Sequence, residues 1–561
     1  MKNGVLKILF FAAVFITAVA VWYSPVVFKG YAPYKISELI VIAKNLHDTG
    51  EFSLENNKNV YLASSLIKTE GETATVGNKF TAYLYSYLFK IMGVLDPQKL
   101  VLFSIFLNAL SLLVFSYIVF RLFGFAISGL FSLIYILIPF MWLSIYSLGI
   151  YEFAVFFFSL FTLFFILGRE KKREWLWMIF AGIFLALAAL SREVFFLLMP
   201  ILPLYFWFYG KRKLILPFLV PIVLILSVFY LPSFFRINGG NVYSDMFSAK
   251  ISEEGNFLDS STYSHLYPDP YVYHFEKNDF LNNYNEKINK AGVLESLQMK
   301  KVLANLGERN TGIFERVVLG IVLLFTHLAK FVSFESIGGP FVLSFLVLGL
   351  FYLRGKDKDL YNFSVWWLLG TLFLLSFAVM VIRDHLRDFN WLIPLLASLG
   401  IFYLVDRMGF EGKMRPFVFL LVVFSFSYSL LLADHFAFGK LYDSERNLKL
   451  ESYAGEIKKM GISDKDVVAL GLSPRDETIL NYLSDESMVV LIPETVEKLV
   501  EQEKLQEVFD YFGVKYIIGY NDELSKKIEE KTSATNILLN KGKTENKTLS
   551  PLRLFILNLV S

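Results

Sequence analysis

A chain built from repeated apolar runs of about twenty residues can satisfy its backbone polar groups inside a bilayer only as helices, so such runs narrow the fold before anything else is read. Val101–Phe120 and Phe153–Leu167 are nearly charge-free runs of roughly this kind. An earlier run, Ile8–Trp22, follows Lys2 and Lys7, which predicts an N-terminus held in the cytoplasm. Ala18-Val19-Ala20 within it also looks like a signal-peptide cleavage site, and under either reading the next residue emerges outside. Further runs lie at about Leu100–Phe123, Phe125–Ile145, Tyr151–Gly168, Trp175–Leu190, Val194–Tyr209, Leu214–Leu231, Pro340–Leu353, Tyr361–Ile382, Trp391–Val405 and Phe417–Leu432. The expected fold is a polytopic α-helical membrane protein of roughly eleven spans.

The basic residues test this threading. Arg169, Lys171, Lys172 and Arg173 form one cluster, Lys211–Lys213 a second, Arg354, Lys356 and Lys358 a third, and Arg407, Lys413 and Arg415 a fourth. All four fall on the cytoplasmic side. The C-terminus and the long loops Tyr23–Lys99 and Pro232–Gly339 then lie outside. Val317–Phe334 is apolar enough to span but holds His327 and Lys330, with Glu335 beside it. Counting it as a span would break the charge pattern, so it reads as an interfacial or re-entrant helix on the outer face.

Composition agrees and excludes other classes. Hydrophobic residues make up 55% of the chain and charged ones 19%, too apolar a balance for a soluble protein of 561 residues. The net charge of +3 is dispersed among short loops and implies no nucleic-acid partner. The absence of cysteine rules out thiolate catalysis, iron–sulfur clusters and Cys-ligated zinc, and the six histidines show no metal-ligand spacing.

In the first outer loop, Ile36–Asp48 reads as a helix ended near Gly50, and Lys79–Met92 as a second, amphipathic one, both along the membrane surface. The second loop, with Pro268-Asp269-Pro270 and a Tyr/Asn/Lys-rich stretch to Asn289, suits an ordered lid. After the last span, Val467–Leu472, Met488–Ile492 and Val514–Ile518 alternate with the helical stretches Thr478–Leu483 and Glu497–Phe512, a small βαβαβ unit without a GxGxxG phosphate loop. The expected division is a transmembrane region at 1–433, with outer loops at 23–99 and 232–339, and an extracytoplasmic α/β domain at 434–561 that docks or shapes an acceptor. No internal repeat suggests the halves of a transporter.

This order of features resembles the GT-C superfamily, membrane glycosyltransferases of the protein O-mannosyltransferase and lipid A aminoarabinose transferase type. Ala43-Lys44-Asn45-Leu46 followed by Gly50 looks like the family's first surface helix, and Lys79-Phe80 through Tyr83-Leu84, Phe89-Lys90 and Gly93 like its second. Tyr146-Ser147 and Tyr151-Glu152 match a small outer loop that usually carries an acidic residue, and Ala189-Leu190-Ser191-Arg192-Glu193 is similar to an A-L-T-R-x-E turn. Arg387 through Pro394 resembles the R-Y-x-x-P-x-x-P approach to a late span, and Val467–Pro493 with Val514–Ile517 resembles the terminal segment. One departure stands out. The family places a catalytic Asp about eight or nine residues before the alanine matching Ala43, where this chain has Tyr34 and Lys35; its nearest carboxylate is Glu38.

The resemblance implies transfer of a sugar from a polyprenyl-phosphate donor to a lipid, glycan or protein acceptor at the outer face of the cytoplasmic membrane. Such a step needs a carboxylate to take the acceptor's proton and cations to hold the departing phosphate. Glu38 and Glu152 are the candidate catalytic carboxylates; Lys79, Arg192, His385 and Arg387 are the candidate donor-phosphate ligands. Two isolated carboxylates require no metal, so no cofactor is demanded, although a divalent ion is not excluded. Plainer readings stand beside each: a solvated helix face for Glu38, a helix N-terminus for Glu152, a snorkelling side chain for Arg192, and hydration for Lys79 and for His385 and Arg387 in the charged loop Arg383–Asp388. A flippase or transporter of lipid-linked glycans, or a homologue without catalysis, are the rival functions.

Overall fold

The computed structural model describes residues 2–29, 34–50, 79–170, 173–235, 337–378, 391–409, 414–441 and 444–537, with gaps of one to three residues in the last stretch and scattered positions between 321 and 333. The second outer loop, Val317–Phe334 as a helix, His385, Arg387, Lys171, Lys172 and Lys413 fall largely or wholly outside the described residues.

Six helices among the described residues are long and apolar enough to cross a membrane. Within the helical elements that contain them, they are α1 (Lys2–Lys29), α4 (Pro97–Phe123), α7 (Glu152–Glu170), α8 (Glu174–Ser191), α10 (Ile215–Phe235) and Met414–Leu441. The chain is a multi-pass membrane protein. Two predicted apolar runs are not single rods. Phe125–Ile145 divides into α5 (Phe125–Leu137) and α6 (Pro139–Ile145), bent by 61°. The cause is Pro139, which forces Ile138 into an extended conformation and starts a new helix at its first turn. Val194–Tyr209 likewise divides into a 3₁₀ turn, Glu193–Leu198, and α9 (Ile201–Phe208) beyond Pro200.

The later predicted runs form α11 (Pro340–Lys356), α12 (Lys358–Ala378), α13 (Leu392–Arg407) and α14 (Met414–Leu441). Small residues let helices meet backbone to backbone. A Cβ on Gly349 of α11 would sit 2.0 Å from the Leu396 carbonyl of α13, and one on Gly400 of α13 the same distance from the Phe345 carbonyl of α11. Buried serines pair between α4 and α5: Ser116 and Ser132 hydroxyls lie 2.7 Å apart, and Ser128 donates to the Ser116 carbonyl at 2.8 Å.

Helix α3 forms at the predicted bounds, Lys79–Met92, whereas α2 runs Glu38–Asp48, two residues shorter than expected at its start because Ile36 is taken by a strand and Ser37 by the cap; its residues Leu39–Asn45 are buried. Just before α2, β1 (Lys35–Ile36) pairs in parallel with β2 (Ser147–Leu148). Beyond α14 follow α15 (Ser444–Lys459) and a four-stranded parallel sheet of order β4-β3-β5-β6: β3 Val467–Leu470, β4 Met488–Val490, β5 Val514–Ile518 and β6 Thr535–Asn536. Helices α16 (Pro474–Ser484), α17 (Pro493–Glu501), α18 (Leu505–Phe512) and α19 (Asp522–Lys531) supply the crossovers and the connection to β6. All four β3 residues are buried, as a parallel strand covered on both faces requires.

Candidate functional site

The β1–β2 pair brings the first outer loop against the short loop ahead of α7. Lys35 N–H donates to the Tyr146 carbonyl at 2.9 Å and Ser37 N–H to the Leu148 carbonyl at 3.1 Å. Helix α2 therefore starts, at Glu38, beside Gly149. Gly149 has φ +80°, and a Cβ there would lie 2.4 Å from Ser37 Oγ and 2.7 Å from Ile40 Cγ1. Only glycine fits this contact.

Glu152 opens α7 and is 1% exposed. Its two oxygens accept from the loop that precedes it, Oε1 from Gly149 N–H at 2.9 Å and Oε2 from Tyr151 N–H at 3.1 Å. The carboxylate thus braces the turn whose backbone borders α2. Tyr85, from α3, packs edge-on against Phe153 with its hydroxyl buried beside the Glu152 carboxylate. Burial first, and the neighbouring Glu152 carboxylate second, push the Tyr85 hydroxyl well above the usual tyrosine range. Ser37 Oγ is a buried oxygen without a partner among the described residues, at the contact with Gly149.

Arg192 terminates α8 in an extended conformation, φ −155° and ψ 120°. Its guanidinium lies over the Tyr151 ring, 4.3 Å from the centroid, and Nη2 donates to the Tyr151 hydroxyl at 3.3 Å. Thr81 Oγ1 donates to the Ser191 carbonyl at 2.9 Å, which fixes the start of α3, and so the Lys79 backbone, near Arg192. Four of the six sequence-predicted site residues, Glu38, Lys79, Glu152 and Arg192, thus belong to elements that meet at one end of the bundle. His385 and Arg387 lie outside the described residues. Among the described residues no group of three or more His, Cys, Asp or Glu is placed to hold a metal ion.

Sequence reasoning missed the residues that tie this end to helices α15 and α16. Tyr34 is 2% exposed. Its carbonyl accepts from Asn447 Nδ2 at 3.0 Å and its hydroxyl donates to Glu451 Oε1 at 3.4 Å, both on α15. Burial raises the Tyr34 hydroxyl far above its ordinary range, outweighing the Asn447 hydrogen bond that opposes it. Lys44, on α2, is 8% exposed; its Nζ donates to the Tyr482 carbonyl at 2.8 Å and sits 5.0 Å from that ring's centroid. Tyr482 in turn donates from its hydroxyl to the Leu95 carbonyl. A lysine directly after the apolar run Leu39–Ala43 was the available signal for the Lys44 contact.

No family profile matches the sequence, and no curated protein matches it. Solved structures do. The oligosaccharyltransferase of Archaeoglobus fulgidus, crystallised with zinc and sulfate, aligns at a TM-score of 0.53 and 13% identity over 90% of this chain and 67% of its own. The AglB oligosaccharyltransferase of the same organism, in complex with an inhibitory peptide and a dolichol-phosphate, aligns at 0.52 and 12% identity over 91% and 69%. ArnT of Cupriavidus metallidurans bound to undecaprenyl phosphate is a looser likeness, at 0.47 and 11% identity over 95% and 90%. The chain shares the fold of these archaeal oligosaccharyltransferases.

Proposed function

We propose that this protein transfers a sugar from a polyprenyl-phosphate donor to a lipid, glycan or protein acceptor, at the outer face of the cytoplasmic membrane. The observation that carries the reading is the meeting of α2, α3, the Gly149–Glu152 loop and Arg192 at one end of a GT-C fold. In this reading Glu38 takes the acceptor's proton, because Glu152 already accepts from two backbone N–H groups and holds the loop. Arg192, oriented by Tyr151, binds the donor phosphate together with Lys79, His385 and Arg387. About eleven crossings, with residues 434–561 as an outer α/β domain, complete the proposed arrangement.

A homologue that binds lipid-linked sugar without transferring it is the second reading, and buried Tyr34 at the position of the family's Asp favours it. Both are tested with purified protein in lipid, a panel of radiolabelled polyprenyl-phosphate sugars, and Glu38→Gln beside wild type. Transfer that Glu38→Gln abolishes supports the enzyme and the base. Donor binding without transfer by wild type supports the second reading, and transfer unchanged in Glu38→Gln removes Glu38 from the mechanism.

A further inference from the structure

At the far end of α7, about 25 Å from Glu152 at 1.5 Å per residue, lies a cavity of about 340 Å³. Arg121, Arg169, Lys211, Asp357 and Asp359 line it, and they come from four separate parts of the bundle. Arg169 Nη2 donates to both oxygens of Asp357, at 3.2 and 3.3 Å. Asp357 is itself fixed, because it caps α12 by accepting the Leu360 N–H at 2.8 Å. The guanidinium is therefore held in one orientation on one side. On the other, Nη1 is buried and has no hydrogen-bond partner.

A plain account exists for the positive charge. Arg121 and Arg169 stand in the last turns of α4 and α7, where cations complement the helix dipole. That account leaves the buried Nη1 donor unexplained, and an unpaired donor on a charged group is costly. Lys211 belongs to the connection between α9 and α10, where the positive-inside pattern accounts for its charge but not for its convergence with Arg169 on one cavity. A tetrahedral oxyanion in the cavity would take a guanidinium donor of Arg169 on one oxygen and the Lys211 ammonium on another. The cavity opens at the ends of α4 and α7, helices long and apolar enough to cross a membrane, so it sits at headgroup depth.

We propose that this cavity is a binding site for a phosphate group, held by Arg169 and Lys211 at the end of the bundle opposite the candidate transfer site. An anionic phospholipid headgroup and free phosphate share this chemistry. The inference does not depend on the transferase reading. It is tested on the full chain in maltoside micelles, which contain no phosphate, by following thermal unfolding during titration with phosphatidylglycerol, with inorganic phosphate, and with diacylglycerol as the phosphate-free lipid.

The expected result is a rise in the unfolding midpoint with a phosphate-bearing ligand and none with diacylglycerol. The concentration giving half of that rise should increase roughly tenfold in Arg169→Gln and in Lys211→Gln, as loss of one charge-assisted contact gives. Stabilisation by phosphatidylglycerol alone assigns a lipid headgroup, and equal stabilisation by inorganic phosphate assigns the phosphate itself. If neither ligand stabilises the protein, if diacylglycerol does so equally, or if both variants respond as wild type, the proposal fails and the cations serve only the helix ends. Lys211→Gln leaves the Arg169–Asp357 pair intact, so it carries the test should Arg169→Gln not fold.

Discussion

Replacing Gly149 with alanine tests whether the turn before α7 sets the position of α2. The added Cβ would stand 2.4 Å from Ser37 Oγ, 2.7 Å from Ile40 Cγ1 and 3.0 Å from Ile40 Cδ1, so the first turn of α2 has to move. Backbone strain at φ +80° costs about 1–2 kcal/mol for a residue with a Cβ. Overpacking adds about 1–3 kcal/mol, which makes a total of roughly 2–5. Gly93→Ala is the matched control: its φ is +74°, but nothing lies within 4 Å of its Cβ, so it carries the backbone part alone. Thermal unfolding of the two variants separates packing from strain. Because Glu38 begins the displaced turn, transfer should fall by up to about 100-fold in Gly149→Ala, the size of effect a shift near 1 Å produces, and little in Gly93→Ala. Equal destabilisation of the two variants, or wild-type transfer by a Gly149→Ala protein that has folded, would refute the reasoning.

Glu152→Gln keeps the shape but offers one acceptor where two N–H groups now bind, so it should lose about 1–3 kcal/mol in thermal unfolding. Lys44→Met strands the Tyr482 carbonyl and should speed deuterium exchange in α16, consistent with loss of a charge-assisted bond of about 1.5–3 kcal/mol; unchanged exchange there would mean that the C-terminal sheet docks by other contacts. Asp96 caps α4 through the Lys99 N–H at 2.9 Å, so Asp96→Ala should cost about 1 kcal/mol. Burial raises the Asp96 carboxyl, but the Lys99 side-chain and backbone hydrogen bonds together hold it below its ordinary value. Its stabilisation is therefore present above the unfolded-state pKa and is lost as pH falls through the lower native one, so the gap in midpoint between wild type and Asp96→Ala should shrink on acidification. Tyr34→Asp places a small charged group in a buried aromatic site and should destabilise by about 3–5 kcal/mol without restoring transfer to Glu38→Gln. Restored transfer would return the catalytic role to position 34.

Much of the membrane architecture was legible because hydropathy and helical period are local signals. Lys79–Met92 reads directly as an amphipathic helix, and the structure forms it at those bounds. The broken runs were less legible: Pro139 and Pro200 sit in apolar surroundings where composition alone favours one rod, and their effect depends on backbone geometry. In the sequence the basic clusters at Arg169 and Lys211 signal topology, and the structure brings both to one cavity with Asp357, which lies between Lys356 and Lys358 of the third cluster. The contacts around the candidate site were illegible for a different reason. Tyr34 meets Asn447 and Glu451, and Lys44 meets Tyr482, across more than 400 residues of chain, and no local pattern marks such partners.

Those long-range contacts also bear on which residue can serve as the base in the proposed transfer. Tyr34 is held at both its carbonyl and its hydroxyl by α15, so its side chain is turned into the joint with the C-terminal region. Lys35 and Ile36 are committed to the strand pair with Ser147 and Leu148, and Ser37 is crowded against Gly149. Glu38 is the next position, and as the first residue of α2 it lies where the helix N-terminus favours a negative charge. Glu152 holds the other side of the same turn through two backbone hydrogen bonds. The joint that buries Tyr34 thus occupies the earlier position structurally, and in the proposed reaction the base falls to Glu38, one helical turn further along.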